Sequence, residues 1–380
     1  MLQEFINTRQ YSEQICQVLD LEDYLLQPEE HVSPAKWHLA HTTWFFEVFI
    51  LEKYAKDYQL YHPKYPFLFN SYYELKGERI QRNHRGNLSR PSVSEIYKYR
   101  KHVTESIVDL LKNNDSPEVE KRIEIGIHHE KQHQELIHSD LKFSFNENPL
   151  FPVFDSNFNE DDQEDFIGEW INFEEGIYDI GFAGDGFCYD NELGRHKVFL
   201  QDFKILNKLV TNIEFLEFMQ DGAYKNPLLW HAEAWDWINE KGINSPKYWH
   251  QIDGEWHEFK LNGLQKLDKE GILSHISFYE AAAFAQWKNL RLPTEFEWEV
   301  AQEKFNWGKR WEWTESAYLP YPNYQKASGA LGEYNGKFMV NQKVLRGCAV
   351  TTSPNHSRPS YRNFFHPHLR WQFCGVRLAK

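Results

Sequence analysis

The sequence predicts a two-part protein of the α plus α+β class, a bundle of long helices followed by a loop-rich domain of short strands and helices. Three observations carry this. Up to about residue 153, apolar residues recur at helical spacing over long stretches. Around 154–170 that periodicity vanishes and acidic residues cluster. Beyond it, short β-prone pieces alternate with Gly, Pro, Asn and Asp, the texture of a mixed domain with many turns.

The elements follow in order. "EFINTRQYSEQICQVLDL" (4–21) reads as a first helix. "SPAKWHLAHTTWFFEVFILEKYAKD" (33–57) opens with Ser33 as N-cap and Pro34 at the first helical position. Trp37, His41, Trp44, Phe45 and Val48 then share one face. "PSVSEIYKYRKHVTESIVDLLKN" (91–113) starts in the same way, and "SPEVEKRIEIGIHHEKQHQELIHSDLKFSF" (116–145) gives a fourth helix. Four helices with one long connection, 57–91, suit an antiparallel bundle spanning 1–153. Residues 154–167 read as a solvated acidic linker. The second domain, 168–380, holds the β-prone pieces "GIYDIGF", "HKVFLQDFKI", "KVLRG" and "WQFCGVRLA". It also holds two short helices, "TNIEFLEFMQDG" and "SFYEAAAFAQWKN".

Composition narrows the function classes. Of 380 residues, 41 % are hydrophobic and 16 % aromatic, enough to bury substantial cores and to exclude a disordered chain. A net charge of −14 argues against nucleic acid or an anionic membrane surface as partner. No apolar run approaches the ~18 residues of a spanning helix, and the N-terminus does not read as a secretory signal. Cys16, Cys188, Cys348 and Cys374 are far apart and form no CxxC, so neither a Cys₄ zinc site nor a disulfide framework is expected. The expectation is a cytoplasmic protein with free thiols.

The chemistry concentrates in "HHEKQHQELIH" (128–138). His129 and His133 are four residues apart and stack on one helix face, the spacing by which a helix offers two imidazoles to one metal. His128 and His138 fall off that stripe and read as exposed or as lying just behind the ligands. The order of residues is not HExxH, so the zincin protease motif is missing. A third ligand must come from elsewhere. His41 sits in the apolar stripe of the second helix, where a buried imidazole needs a partner; His38, one turn back, competes for the same role. Three neutral imidazoles leave coordination positions open, which suits catalysis, and they serve Zn, Fe, Cu or Ni alike.

Longer motifs carry a resemblance. "WHLAHTTWFFE" (37–47), "NSYYELKG" (70–77), "LSRPSVSEIYKYR" (88–100) and "HHEKQHQEL" (128–136) resemble the DinB-like four-helix bundle of ergothioneine-biosynthesis sulfoxide synthases of the EgtB type. "NELGRHKVFLQDFKILNKLVTNIEFLEFMQDGAY" (191–224), "RLPTEFEWEVA" (291–301), "WEWTESAYLPYP" (311–322) and "RPSYRNFFHPHLRWQFCGVRLA" (358–379) resemble their C-type-lectin-like, formylglycine-generating-enzyme-like domain. The likeness runs along nearly the whole chain in order.

The resemblance implies a non-haem Fe(II) enzyme that uses O₂ to join a thiol to C2 of the hercynine imidazole, giving a sulfoxide. It implies His41, His129 and His133 as iron ligands. The Tyr-Tyr pair resembles a second branch of the family, in which adjacent tyrosines act as proton donors, here Tyr72 and Tyr73. Gln132 matches a glutamine that faces the hercynine imidazole, and Asn363 a residue that holds its carboxylate. Phe364 and Phe365 stand where the mycobacterial-like branch has Trp-Asp, and offer aromatic faces to the trimethylammonium. Arg82, Arg85 and Arg90 are candidates for the carboxylate of the sulfur donor, cysteine or γ-glutamylcysteine. The cysteine pair of the formylglycine-generating enzymes has no match, which disfavours that activity. Rival readings are a selenoneine-type synthase, an ovothiol-type enzyme acting on histidine, and a metal- or ligand-binding module without turnover.

Overall fold

The computed structural model describes residues 1–160, 163, 167–326 and 329–380. The N-terminal part is built on α1 (Leu2–Cys16), α2 (Ala35–Phe46), the short α3 (Tyr65–Phe69), α4 (Val93–Asn113) and α5 (Pro117–Asn146). α4 opens on a capping box: Ser92 accepts from Glu95 N–H and Glu95 answers. α5 has Pro117 in its first turn. α1 ends at Cys16, earlier than the pattern implied. Ser33 does not cap α2; the N-cap is Pro34, and the Ser33 N–H is turned instead to Asp140.

α2 is buried on every side rather than on one stripe. A helix apolar all round belongs in a core, and here α4, α5 and the 57–91 connection all pack around it. It runs on through a π-helical turn, Glu47–Leu51. The buried Glu47 accepts hydrogen bonds from Tyr58 Oη at 2.9 Å, Tyr61 N at 2.8 Å and Tyr99 Oη at 2.5 Å, which pins the long connection to the bundle. At the centre of the bundle lies a second buried carboxylate, Glu130. It takes Arg9 Nη1 at 2.8 Å from α1, Arg100 Nη2 at 2.9 Å from α4 and Ser12 Oγ at 2.6 Å. Burial alone would raise its pKa, but the two guanidiniums outweigh that and hold it below the ordinary value. Arg9 also reaches Thr43 of α2, so one polar knot fixes the register of four helices.

The C-terminal part contains β1 (Trp170–Phe173) paired with β4 (Phe203–Leu206), and β2 (Gly176–Ile180) paired with β3 (His196–Leu200). β5 (Trp249–Ile252), β6 (Glu255–Lys260) and β7 (Gly263–Lys266) form a meander. The remaining sheet has the order β10 (Asn363–Phe365), β9 (Lys343–Gly347), β8 (Trp311–Ala317), β11 (Cys374–Gly375), with only β11 parallel to its neighbour. Both expected helices form, as α6 (Asn212–Gln220) and α8 (Phe278–Trp287). Two more, α7 (Ala232–Lys241) and α9 (Glu295–Ala301), were not anticipated.

The segment expected as a solvated linker is partly structural. Phe154 and Glu160 are buried, and Phe154 N donates to Leu261 O. Glu160 accepts from Lys142 of α5 at 2.7 Å and from Leu261 N at 2.8 Å, and Lys142 donates to His275 Nε2 at 2.9 Å. Bundle, connection and C-terminal module therefore meet at one buried ion pair. Most of the acidic run itself, 161–162 and 164–166, lies outside the described residues.

Candidate metal centre and cavity

α2 and α5 cross so that His41, His129 and His133 each place a ligand-capable atom within 4.8 Å of the others. His41 and His129 are buried, and His133 is half-buried at the cavity wall. Burial, with the neighbouring imidazoles, drives His41 and His133 well below the usual histidine range, and burial takes His129 down to about 3. Neutral imidazoles are what a divalent metal requires. His41 Nδ1 lies 2.6 Å from Phe69 O, an obligate acceptor, so Nδ1 carries the proton and Nε2 keeps its lone pair. That buried Nε2 has no hydrogen-bond partner. An orphaned lone pair facing two more imidazoles fits a first-row transition metal, with three protein ligands and open positions. His38 is not a member of the triad. Its Nδ1 meets His133 Nδ1 at 2.7 Å and its Nε2 meets Asp140 Oδ2 at 3.0 Å.

A cavity of about 980 Å³ opens beside the histidines, and both parts of the chain line it. From the bundle side come His129, His133, Gln132, Tyr72, Arg82 and Arg85. From the C-terminal side come Tyr334, Tyr361, His356, Trp311 and the β10 run Asn363, Phe364 and Phe365. β10 is held in place from behind: Arg362 grips Glu295 through Nε at 2.7 Å and Nη2 at 2.9 Å. Phe364 stacks on Tyr318 at 4.1 Å between centroids. Glu135, also on the wall, accepts from Trp311 Nε1 at 2.6 Å, and burial pushes its carboxyl up to about 7.

The expected site residues divide. Tyr72 faces the cavity, while Tyr73 is fully buried behind it, stacked at 4.6 Å and packed on Trp44 and Phe49. Burial raises both phenols above their ordinary pKa, so both keep their protons. Arg85 is buried and held by Ser33 Oγ at 2.9 Å and Ser71 Oγ at 3.0 Å; Arg82 is exposed at the cavity mouth and donates to His31 O. Arg90 does not reach the cavity. It is exposed before α4 and donates to Ser89 O.

His128 and His138, read as exposed or as lying just behind the ligands, are both buried. His128 stacks on Phe187 at 3.8 Å and meets His356 at 3.0 Å, while His138 packs against Phe154 and Phe158. Helical spacing placed them off the ligand stripe but said nothing of the second module that covers them. Sequence reasoning also missed Tyr334 and Tyr361. Tyr334 Oη donates to Gln132 Oε1, and Gln132 Nε2 donates to Tyr361 Oη at 2.8 Å. The Tyr334 ring lies 5.9 Å from that of His129. Tyr334 sits in an irregular stretch, "GEYNGKF", with no periodicity to flag it.

Bundle and roof together define a two-module enzyme whose halves have separate kin. Residues 4–137 match the DinB superfamily, and residues 157–310 match the sulfatase-modifying factor enzyme 1-like domain. The hercynine oxygenase of Mycolicibacterium smegmatis is 26 % identical, over 92 % of this chain and 91 % of that protein. The hercynine oxygenase of Mycobacterium tuberculosis is 30 % identical over 28 % of this chain and 36 % of its own. That of Mycolicibacterium thermoresistibile is 25 % identical over 53 % and 56 %. The chain is thus similar to a hercynine oxygenase along nearly its whole length, in line with the resemblance its motifs carry.

Proposed function

We propose that this protein is a hercynylcysteine sulfoxide synthase, using Fe(II) and O₂ to join cysteine, or γ-glutamylcysteine, to C2 of the hercynine imidazole. The observation that carries the reading is the three-histidine cluster at the wall of a cavity shared by both modules. The balance is simple. One S–H and one C2–H bond are lost, one C–S and one S–O bond form, and the second oxygen of O₂ leaves as water. His41, His129 and His133 hold the iron, which when bound supplies the one-electron chemistry that activates O₂.

The chain's own residues do the rest. Gln132 reads the hercynine imidazole, Asn363 holds its carboxylate, and Phe364 and Phe365 face the trimethylammonium. Arg85, buried and without a carboxylate partner among the described residues, takes the carboxylate of the sulfur donor, with Arg82 at the mouth. Tyr72 or Tyr73 supplies a proton to the reduced oxygen, since each phenol is held protonated.

Anaerobic reconstitution with Fe(II), followed by hercynine, cysteine and O₂, tests this by mass spectrometry. The expected product is the hercynylcysteine sulfoxide. Oxidised thiol alone, with hercynine unchanged, would refute the proposal.

A further inference from the structure

We infer that Asp140 and His38 are positioning residues that decide which nitrogen of His133 is free to bind metal, and that Trp371 of the C-terminal module completes this relay. Hydrogen-bond polarity fixes the tautomers along the relay. The Asp140 carboxylate receives Trp371 Nε1–H on Oδ1 at 2.7 Å and Ser33 N–H on Oδ2 at 2.8 Å. Both are obligate donors, so both oxygens act as acceptors. His38 Nε2 lies 3.0 Å from Oδ2 and must also donate. A neutral His38 with its proton on Nε2 presents Nδ1 as a bare acceptor. His133 Nδ1, 2.7 Å away, is then the donor, and His133 Nε2 is left with its lone pair.

The same tautomer is reached at His41 by a shorter route, the direct bond to Phe69 O. His133 has no such carbonyl, and the Asp140–His38 relay takes its place. The spacing makes this possible. Asp140 follows His133 by seven residues, two turns along α5, and His38 precedes His41 by three on α2, so each helix carries a member of the relay beside the histidines it gives to the triad. Trp371 adds a cross-module input: its N–H reaches Asp140 only when the C-terminal module is docked on the bundle.

The inference rests on the metal reading above, and two measurements on the full chain separate the two. The first is Fe(II) affinity under anaerobic competition with a chromophoric chelator. Asp140→Leu removes the acceptor that fixes the His38 proton on Nε2, so affinity should fall about 10- to 100-fold. His38→Phe should weaken binding in the same direction, and Trp371→Phe should do so by less than Asp140→Leu. The second is the ¹⁵N chemical shifts of His133 in the metal-free wild type, expected to show the proton on Nδ1. A folded Asp140→Leu variant with wild-type Fe(II) affinity would overturn the relay, and so would a wild-type His133 protonated on Nε2. If Asp140→Leu fails to fold, the wild-type tautomer decides alone. Loss of Fe(II) binding by the wild type would instead sink the metal reading, with the tautomer still judging the relay.

Discussion

Arg85 lies over the indole of Trp37, its guanidinium carbon 3.4 Å from the ring centroid, and forms no ion pair among the described residues. Its Nε has no partner, and burial, with Arg82 nearby, drives its pKa well below the ordinary value. A buried cation held only by hydroxyls and an aromatic face is arranged to receive an anion. Arg85→Met should raise the KM for cysteine by roughly 10- to 100-fold, the worth of a charge-assisted hydrogen bond. Cysteamine, which lacks the carboxylate, should be used equally by variant and wild type. An equal loss on both thiols would remove Arg85 from that role.

Alanine at His41, His129 or His133 should abolish stoichiometric iron and turnover together. His138→Ala is the control: it alters a packed imidazole on the same helix and should retain metal. Metal analysis after anaerobic loading reads the outcome, and full occupancy in His41→Ala would eliminate that ligand.

Replacing Tyr72 or Tyr73 by Phe keeps the stacked pair but removes a hydroxyl. Sulfoxide formation should slow by about 10²- to 10⁴-fold in the variant that removes the proton donor, with O₂ diverted to thiol oxidation. The ratio of coupled product to disulfide measures this. An unchanged ratio in both variants would exclude the pair.

The Glu130 knot sets an acid limit on the bundle. Its folded pKa lies below the ordinary 4.5, so its contribution is complete above that value and is lost as pH falls through the lower, folded one. Glu130→Gln leaves Arg9 buried without its anion and Arg100 with only Glu13, and should destabilise by about 3–5 kcal/mol at neutral pH. Urea unfolding of both proteins from pH 7 down to 3 should show that gap narrowing at the acid end. A gap independent of pH would mean that the carboxylate charge is not what matters.

Much of this molecule was legible in the sequence because helices report themselves locally. The four long helices, the His129–His133 stripe and the choice of α2 for a further histidine all follow from spacing within one element. What spacing could not give were contacts that cross between modules. The burial of His128 depends on Phe187 and His356, and the pairing of Gln132 depends on Tyr334 and Tyr361, partners more than fifty residues away. The apolar stripe favours His41 over His38 without excluding the latter; what engages His38 instead is the carboxylate of Asp140, two turns beyond His133 on α5. α7 and α9 escaped because short helices in a loop-rich domain are fixed by tertiary packing more than by pattern.

The two tyrosine hydroxyls on Gln132 carry a last consequence. Each end of its amide holds one hydroxyl in the free protein, with one N–H and one lone pair left over. The two hydroxyls fix the rotamer before any ligand arrives, so a ring docking on the spare N–H or lone pair would not have to order the side chain first. Gln132 is in this sense a pre-aimed sight: its direction is set by the C-terminal module, and a substitution at Tyr334 or Tyr361 would blur that aim without altering the amide itself.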